Sequence, residues 1–119
     1  MHILVVDDDT DLRETLAEML EDEGFRVTQA ASGREALRRL DAEPADLIML
    51  DYMMPEMSGA EFRDVQRTRA DVKEIPVVLM TAASTVSELA TISPDAIVHK
   101  PFDVPALLRC IQQVTARHA

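Results

Sequence analysis

Four short apolar runs constrain this chain more than any other feature. They are Ile3-Leu4-Val5-Val6, Leu47-Ile48-Met49-Leu50, Val77-Val78-Leu79-Met80 and the shorter Ala96-Ile97-Val98. None alternates with polar residues, and each is cut off by polar or turn-forming ones. Runs of this length without alternation suit strands buried on both faces, which is the habit of parallel sheets. The stretch from Phe25 to Ala31 is more mixed, with Arg26, Thr28 and Gln29, and reads as an edge or near-edge strand.

Amphipathic stretches separate these runs. Asp11 to Glu23 places Leu12, Leu16, Met19 and Leu20 on one stripe, and Gly24 supplies a stop. Ser32 to Leu40 gathers Ala36, Leu37 and Leu40, and Ser32 with Glu35 has the spacing of a capping box. Ser58 to about Arg69 carries Phe62 and Val65, with Ser58 and Glu61 at the same spacing. Ser84 to about Ile92 predicts a short helix with Val86, Leu89 and Ala90. Asp103 onward carries Val104, Leu107, Leu108, Ile111 and Val114, with Pro105 in the first turn, where proline is tolerated. The order is β then α, five times over. It predicts an α/β fold in which helices cover both faces of a parallel sheet through right-handed crossovers. No linker or repeat interrupts it, so one domain is expected over residues 1–119.

Charge and cysteine usage exclude several classes of function. Net charge is −10, which opposes direct binding to nucleic acid or to anionic membrane surfaces. No stretch approaches the ~20 apolar residues of a membrane span. Cys110 is the one cysteine, so no internal disulfide forms; among Leu107, Leu108, Ile111 and Val114 it reads as a small buried hydrophobe. A reduced cytoplasmic setting is expected.

In an open α/β sheet, ligands bind beyond the carboxyl ends of the strands. The residues just after each run are therefore the ones to read. Asp7, Asp8 and Asp9 follow the first, Asp51 the third, Thr81 the fourth and Lys100 the fifth. Asp7, Asp8 and Asp51 together would repel one another unless one protonates or a cation intervenes. A hard divalent ion such as Mg²⁺ prefers such oxygen ligands. A carboxylate nucleophile, a cation, a lysine and a hydroxyl are the parts from which an aspartyl phosphate is made. Asp9 reads instead as the start of the first helix. Met49, Met53, Met54 and Met57 read as packing residues, and His2, His99 and His118 have no metal-like spacing.

The segments VVDDD, IMLDYMMPEMSG, VVLMTA and HKPF, in that order, resemble the motifs of the receiver domain of two-component response regulators. Each is weak alone; together, on ordered strands across essentially the whole chain, they are specific. The resemblance implies a flavodoxin-like (βα)5 three-layer sandwich with strand order 2-1-3-4-5. It implies that Asp51 accepts a phosphoryl group and that Thr81 and Lys100 contact that group. It also implies that Asp7 and Asp8 hold Mg²⁺, aided by the Asp51 side chain and the Met53 backbone carbonyl. Pro55 and Gly59 would shape the loop after the acceptor, and Pro101 would follow a cis peptide. The implied partner is a histidine kinase or a phosphotransfer protein. Such a domain is not an ordinary enzyme, since it catalyses only its own phosphorylation and slow dephosphorylation.

Three features depart from that family. Ile97 stands three residues before Lys100, where an aromatic residue usually changes rotamer on activation. A branched aliphatic side chain has no ring to swing, so a muted or different switch is expected. The segment between Thr81 and Lys100 is short by roughly one helical turn, and Ser93-Pro94-Asp95-Ala96 replaces the usual glycine-alanine pair. This segment belongs to the face through which the family commonly dimerises, so the resemblance carries no dimer over to this chain. No output domain follows the last helix, which suits either a stand-alone receiver or a piece of a larger protein.

Two rival readings compete with this one. A haloacid-dehalogenase-type phosphatase would use Asp7 as nucleophile and Asp9 as second acid, but wants Thr or Val where Asp11 stands. A degenerate receiver would bind partners without being phosphorylated, yet all five key positions are intact.

Overall fold

The computed structural model describes residues 1–54, 56–82, 92, 94–100 and 103–117. Five strands form one parallel sheet: β1 (His2–Val6), β2 (Arg26–Ala30), β3 (Leu47–Asp51), β4 (Val77–Thr81) and β5 (Ala96–His99). Their order is β2-β1-β3-β4-β5, the doubly wound arrangement expected from the motifs. Four helices are described: α1 (Thr10–Asp22), α2 (Gly33–Ala42), α3 (Gly59–Thr68) and α4 (Val104–Arg117). The short helix expected over 84–92 lies outside the described residues, apart from buried Ile92. Pro55 and Pro101 also lie outside them, as does Ala83, two residues after Thr81.

The central strands are buried because each face of the sheet has its own helical cover. Leu4, Val6, Ile48, Leu50, Val77 and Leu79 point to one side, where Ala36, Leu40 and Phe62 of α2 and α3 meet them. Ile3, Val5, Leu47, Met49, Val78 and Met80 point to the other, against Leu16 and Leu20 of α1 and Leu107, Ile111 and Val114 of α4. The period-two alternation of side chains divides each run between the two cores. This is why the runs are apolar throughout. β2 has a neighbour on one side only, and its burial is correspondingly partial.

Each helix starts on an oxygen that its sequence supplies. Asp9 caps α1 by accepting from the Leu12 N–H at 3.2 Å. Ser32 and Ser58 do the same for Glu35 and Glu61, at 3.1 and 3.2 Å. Asp103 accepts from Ala106 at 2.7 Å before α4. Such caps are worth about 1 kcal/mol each. Asp9 is thus a helix cap, as its position suggested. His2, which the spacing left without a role, is buried at the opposite end of the sheet from these caps. Its ring lies 2.9 Å from the Pro44 carbonyl and 2.6 Å from Thr28 Oγ1.

One buried polar group was not visible in the apolar pattern. Gln66 of α3 is fully buried. Its amide donates to the carbonyls of Val72 and Ile75, at 2.9 and 3.0 Å, and accepts from Arg63 Nη1 at 2.9 Å. Arg63 and Arg67 both donate to the Ile92 carbonyl, which ties α3 to the chain entering β5. Burial of Arg63 lowers the pKa of its guanidinium, against the opposing charge of Asp95.

Candidate functional site

The carboxyl ends of the strands bring the motif residues together. Asp7 lies one residue beyond β1, its N–H donating to the Ala30 carbonyl at 3.1 Å. Asp51 is the last residue of β3, paired with Met80. Thr81 ends β4, and its carbonyl accepts from the Lys100 N–H at 2.8 Å. Backbone hydrogen bonds therefore fix where Asp7 and Lys100 leave the sheet.

Lys100 connects the acids. Its Nζ donates to Asp7 Oδ2 at 3.0 Å and to Asp51 Oδ1 at 3.2 Å. The other oxygen of Asp7 accepts from the Asp9 N–H at 2.9 Å. Asp7, Asp51 and Thr81 are buried, at 1%, 6% and 1% exposure, while Asp8 is open to solvent. One carboxylate oxygen from each of Asp7, Asp8 and Asp51 lies within 4.8 Å of the others.

The electrostatics follow from that crowding. Burial, then the charge of Asp7, then that of Asp8 push the Asp51 carboxyl up from 3.8 to about 6, with Lys100 pulling the other way. Burial by itself would lower the pKa of the Lys100 amine; its hydrogen bonds to and the charges of Asp7 and Asp51 outweigh that and raise it. A single lysine does not balance the acidic cluster.

This imbalance predicts a pH signature. Between about 4 and 6 the unfolded chain gives up its Asp51 proton before the folded chain does. The favourable contribution of protonated Asp51 is therefore lost as pH rises through about 6. A rise from 3.8 to about 6 corresponds to ~3 kcal/mol unscreened, which solvent at the rim of the sheet reduces to roughly 1–2 kcal/mol. Asp51→Asn is thus expected to stabilise the protein in EDTA by that amount at pH 8, and not at all at pH 3.5. Denaturant titrations at the two pH values check this; equal stability of variant and wild type at pH 8 would contradict it.

The loop after Asp51 is built tightly against it. A Cβ on Gly59 would lie 3.0 Å from the Asp51 carbonyl oxygen and 3.2 Å from the Tyr52 Cα, both backbone atoms that cannot swing aside. The Gly59 N–H donates to the Tyr52 carbonyl at 3.1 Å. Glu56 holds a left-handed φ of 68° in the same loop. Gly59→Ala is expected to cost about 1–3 kcal/mol and to shift the Asp51 backbone, read as lower denaturant stability with amide chemical-shift changes at 51 and 52. Met49 and Met54 are buried and Met57 is packed on the core, as expected of packing residues. Met53 differs, with 69% of its surface exposed beside Asp51. Ile97 is half-buried and packs on the Phe62 side of the sheet. Cys110 is half-buried against the other core, and burial raises the pKa of its thiol.

The donor set fits a hard divalent cation. All three carboxylates offer oxygen ligands, two of them from buried residues, and Mg²⁺ accepts one or two carboxylates while keeping several waters. The raised Asp51 carboxyl shows the local excess of negative charge that such a cation relieves. One contributor was missed by the sequence reading. Arg13, on the first turns of α1, donates from Nη1 to the Asp7 carbonyl oxygen at 2.9 Å.

With sheet order and carboxylate cluster in place, the chain can be set beside known proteins. It belongs to the response regulator receiver domain family, whose model matches residues 3–112. It is 35% identical to response regulator RR06 of Streptococcus pneumoniae over 99% of its own length and 54% of that protein's. It is 37% identical to the phosphate regulon transcriptional regulatory protein PhoB of Rhizobium meliloti, over 97% of its own length and 52% of that protein's. The chain thus spans about half the length of these curated relatives. Among solved structures it is similar to chemotaxis protein CheY4 of Vibrio cholerae, with a TM-score of 0.90 and 31% identity over 95% of this chain and 97% of that one. The receiver domain of a Syntrophus aciditrophicus signal transduction histidine kinase superposes with a TM-score of 0.87 at 30% identity, over 97% of this chain and 89% of that one.

Proposed function

We propose that this chain works as one receiver domain over residues 1–119, accepting a phosphoryl group on Asp51 and altering its partner-binding surface in response. The observation that carries this reading is the convergence of Asp7, Asp51 and Lys100 at the carboxyl end of the sheet, with Asp8 beside them. In this role an Asp51 oxygen forms the new bond to phosphorus as the bond to the donor's leaving group breaks. Lys100 Nζ, now shared between Asp7 and Asp51, turns one of its hydrogens to a phosphoryl oxygen. The Thr81 hydroxyl contacts a second phosphoryl oxygen. Asp7, Asp8, the Asp51 side chain and the Met53 backbone carbonyl would hold Mg²⁺, which supplies charge neutralisation for the phosphoryl oxygens.

The physiological donor in this reading is a histidine kinase or phosphotransfer protein in the cytoplasm, and the domain is not a turnover enzyme. No helix among the described residues is long and apolar enough to cross a membrane. Intact-mass measurement after incubation with acetyl phosphate tests the proposal. One phosphoryl group is expected in the presence of Mg²⁺, none in EDTA and none in Asp51→Asn. No gain from acetyl phosphate or from phosphoramidate would favour a partner-binding module that is never phosphorylated.

The same experiment, followed over time after donor removal, measures the lifetime of the product. The exposed Met53 side chain stands two residues after Asp51 and offers no group that strongly hydrogen-bonds an attacking water. Self-dephosphorylation is therefore expected over minutes or longer, and a lifetime of seconds would contradict that expectation.

A further inference from the structure

Arg13 belongs to no motif, yet it is bound to the peptide that joins the first two acids. Its Nη1 donates to the Asp7 carbonyl oxygen at 2.9 Å, and its Nε donates to Gln29 Oε1 at 3.1 Å. The Asp7 carbonyl shares its planar peptide unit with the Asp8 N–H. Holding that plane restricts ψ of Asp7 and φ of Asp8, and with them the directions in which both side chains leave the backbone. The other groups of Asp7 are already committed: its N–H to Ala30, Oδ1 to Asp9 and Oδ2 to Lys100. The carbonyl, one residue past the end of β1, is the remaining freedom, and Arg13 removes it. Gln29, in the edge strand β2, orients the guanidinium plane through Nε. A rigid planar fork with two donors in use holds a peptide more firmly than a flexible ammonium can.

We propose that Arg13, oriented by Gln29, is a positioning residue that presets the Asp7–Asp8 pair for a divalent cation. This inference rests on the reading of Asp7, Asp8 and Asp51 as the Mg²⁺ site. Arg13 makes no hydrogen bond or ion pair with the side chains of Asp7, Asp8 or Asp51, and its action is through the backbone of Asp7. Removing it loosens the ligand pair without deleting a ligand.

The test is an NMR titration of the intact domain with Mg²⁺ alone, following the amides of Asp8 and Asp9, in wild type, Arg13→Met, Arg13→Lys and Gln29→Leu. Arg13→Met is expected to raise the Mg²⁺ dissociation constant about tenfold, the scale seen when groups supporting metal ligands are lost. It should also shift the Asp8 amide in EDTA, before any metal is added. Arg13→Lys, which keeps one donor for the carbonyl but loses the fork and its bond to Gln29, is expected to recover only part of the affinity. With acetyl phosphate as donor, the loss should appear in the Mg²⁺ concentration giving half-maximal phosphorylation more than in the plateau rate. If Arg13→Met does not fold, Gln29→Leu carries the test with an expected loss of a few-fold. Wild type that binds Mg²⁺, with an unchanged constant in the folded Arg13 and Gln29 variants, overturns this inference alone. Wild type with no saturable titration removes the metal reading and this inference with it.

Discussion

Asp7→Ala is expected to cost at least ~100-fold in Mg²⁺ affinity, beyond the 10–100-fold typical of groups that merely support a ligand. Phosphoryl uptake from acetyl phosphate should fall with it. The reason is that Asp7 does three things at once. Its Oδ2 holds Lys100 at 3.0 Å, its Oδ1 holds the Asp9 N–H at 2.9 Å, and its charge is the largest electrostatic contribution raising the Asp51 carboxyl. Removing it should make Asp51 easier to ionise, because the strongest repulsive neighbour is gone. If charge on Asp51 alone governed reactivity, Asp7→Ala would phosphorylate as well as wild type at neutral pH. The metal-ligand account predicts the opposite: a more acidic Asp51 and a much weaker reaction. Mg²⁺ titration together with an NMR pH titration of the Asp51 side chain separates the two. Unchanged Mg²⁺ affinity would remove Asp7 from the proposed ligand set.

Phe62→Ala is expected to lower stability by about 3–5 kcal/mol, the range for deleting a buried aromatic ring. Phe62 is fully buried and belongs to the cluster formed by Leu4, Leu50 and Leu79. α3 packs on the sheet through this side chain, next to the loop that leaves Asp51. A loss of that size is a large part of the ~5–15 kcal/mol stability of an ordinary domain. Chemical denaturation measures it directly, and a loss below 1 kcal/mol would mean that the core around Phe62 closes over the gap. The variant is also expected to phosphorylate more slowly at elevated temperature, through partial unfolding rather than through any contact with the acids.

Much of this molecule was legible in its sequence because its signals are local. The unbroken runs at Ile3–Val6, Leu47–Leu50 and Val77–Met80 are apolar because both faces of the sheet are covered, and the structure assigns alternate residues to two separate cores. Ser32, Ser58 and Asp9 announced helix starts within three residues of the groups they bind. The convergence of Asp7, Asp8, Asp51 and Lys100 followed from the rule that sites form beyond the carboxyl ends of parallel strands.

What escaped the sequence reading depends on partners far along the chain. Gln66 is buried because two carbonyls from the following loop and Arg63 on its own helix satisfy its amide, and nothing in the helical pattern marks it as core. His2 is held by Thr28 and Pro44, from two other segments. Arg13 lies off the apolar stripe of an acidic helix, yet it reaches back to the end of β1 and across to β2. Long polar side chains choose partners by three-dimensional proximity, which periodicity does not encode.

In the proposed function Asp51, rather than another carboxylate of the cluster, forms the acyl phosphate. Borohydride reduction of the phosphorylated protein identifies the acceptor, since reduction converts a phosphorylated aspartate to homoserine and leaves free aspartates untouched. Peptide sequencing by mass spectrometry then reads the position. Homoserine at position 51, dependent on Mg²⁺ and on prior exposure to acetyl phosphate, is the predicted result. Homoserine at position 7 or 8, or at no position, would contradict it.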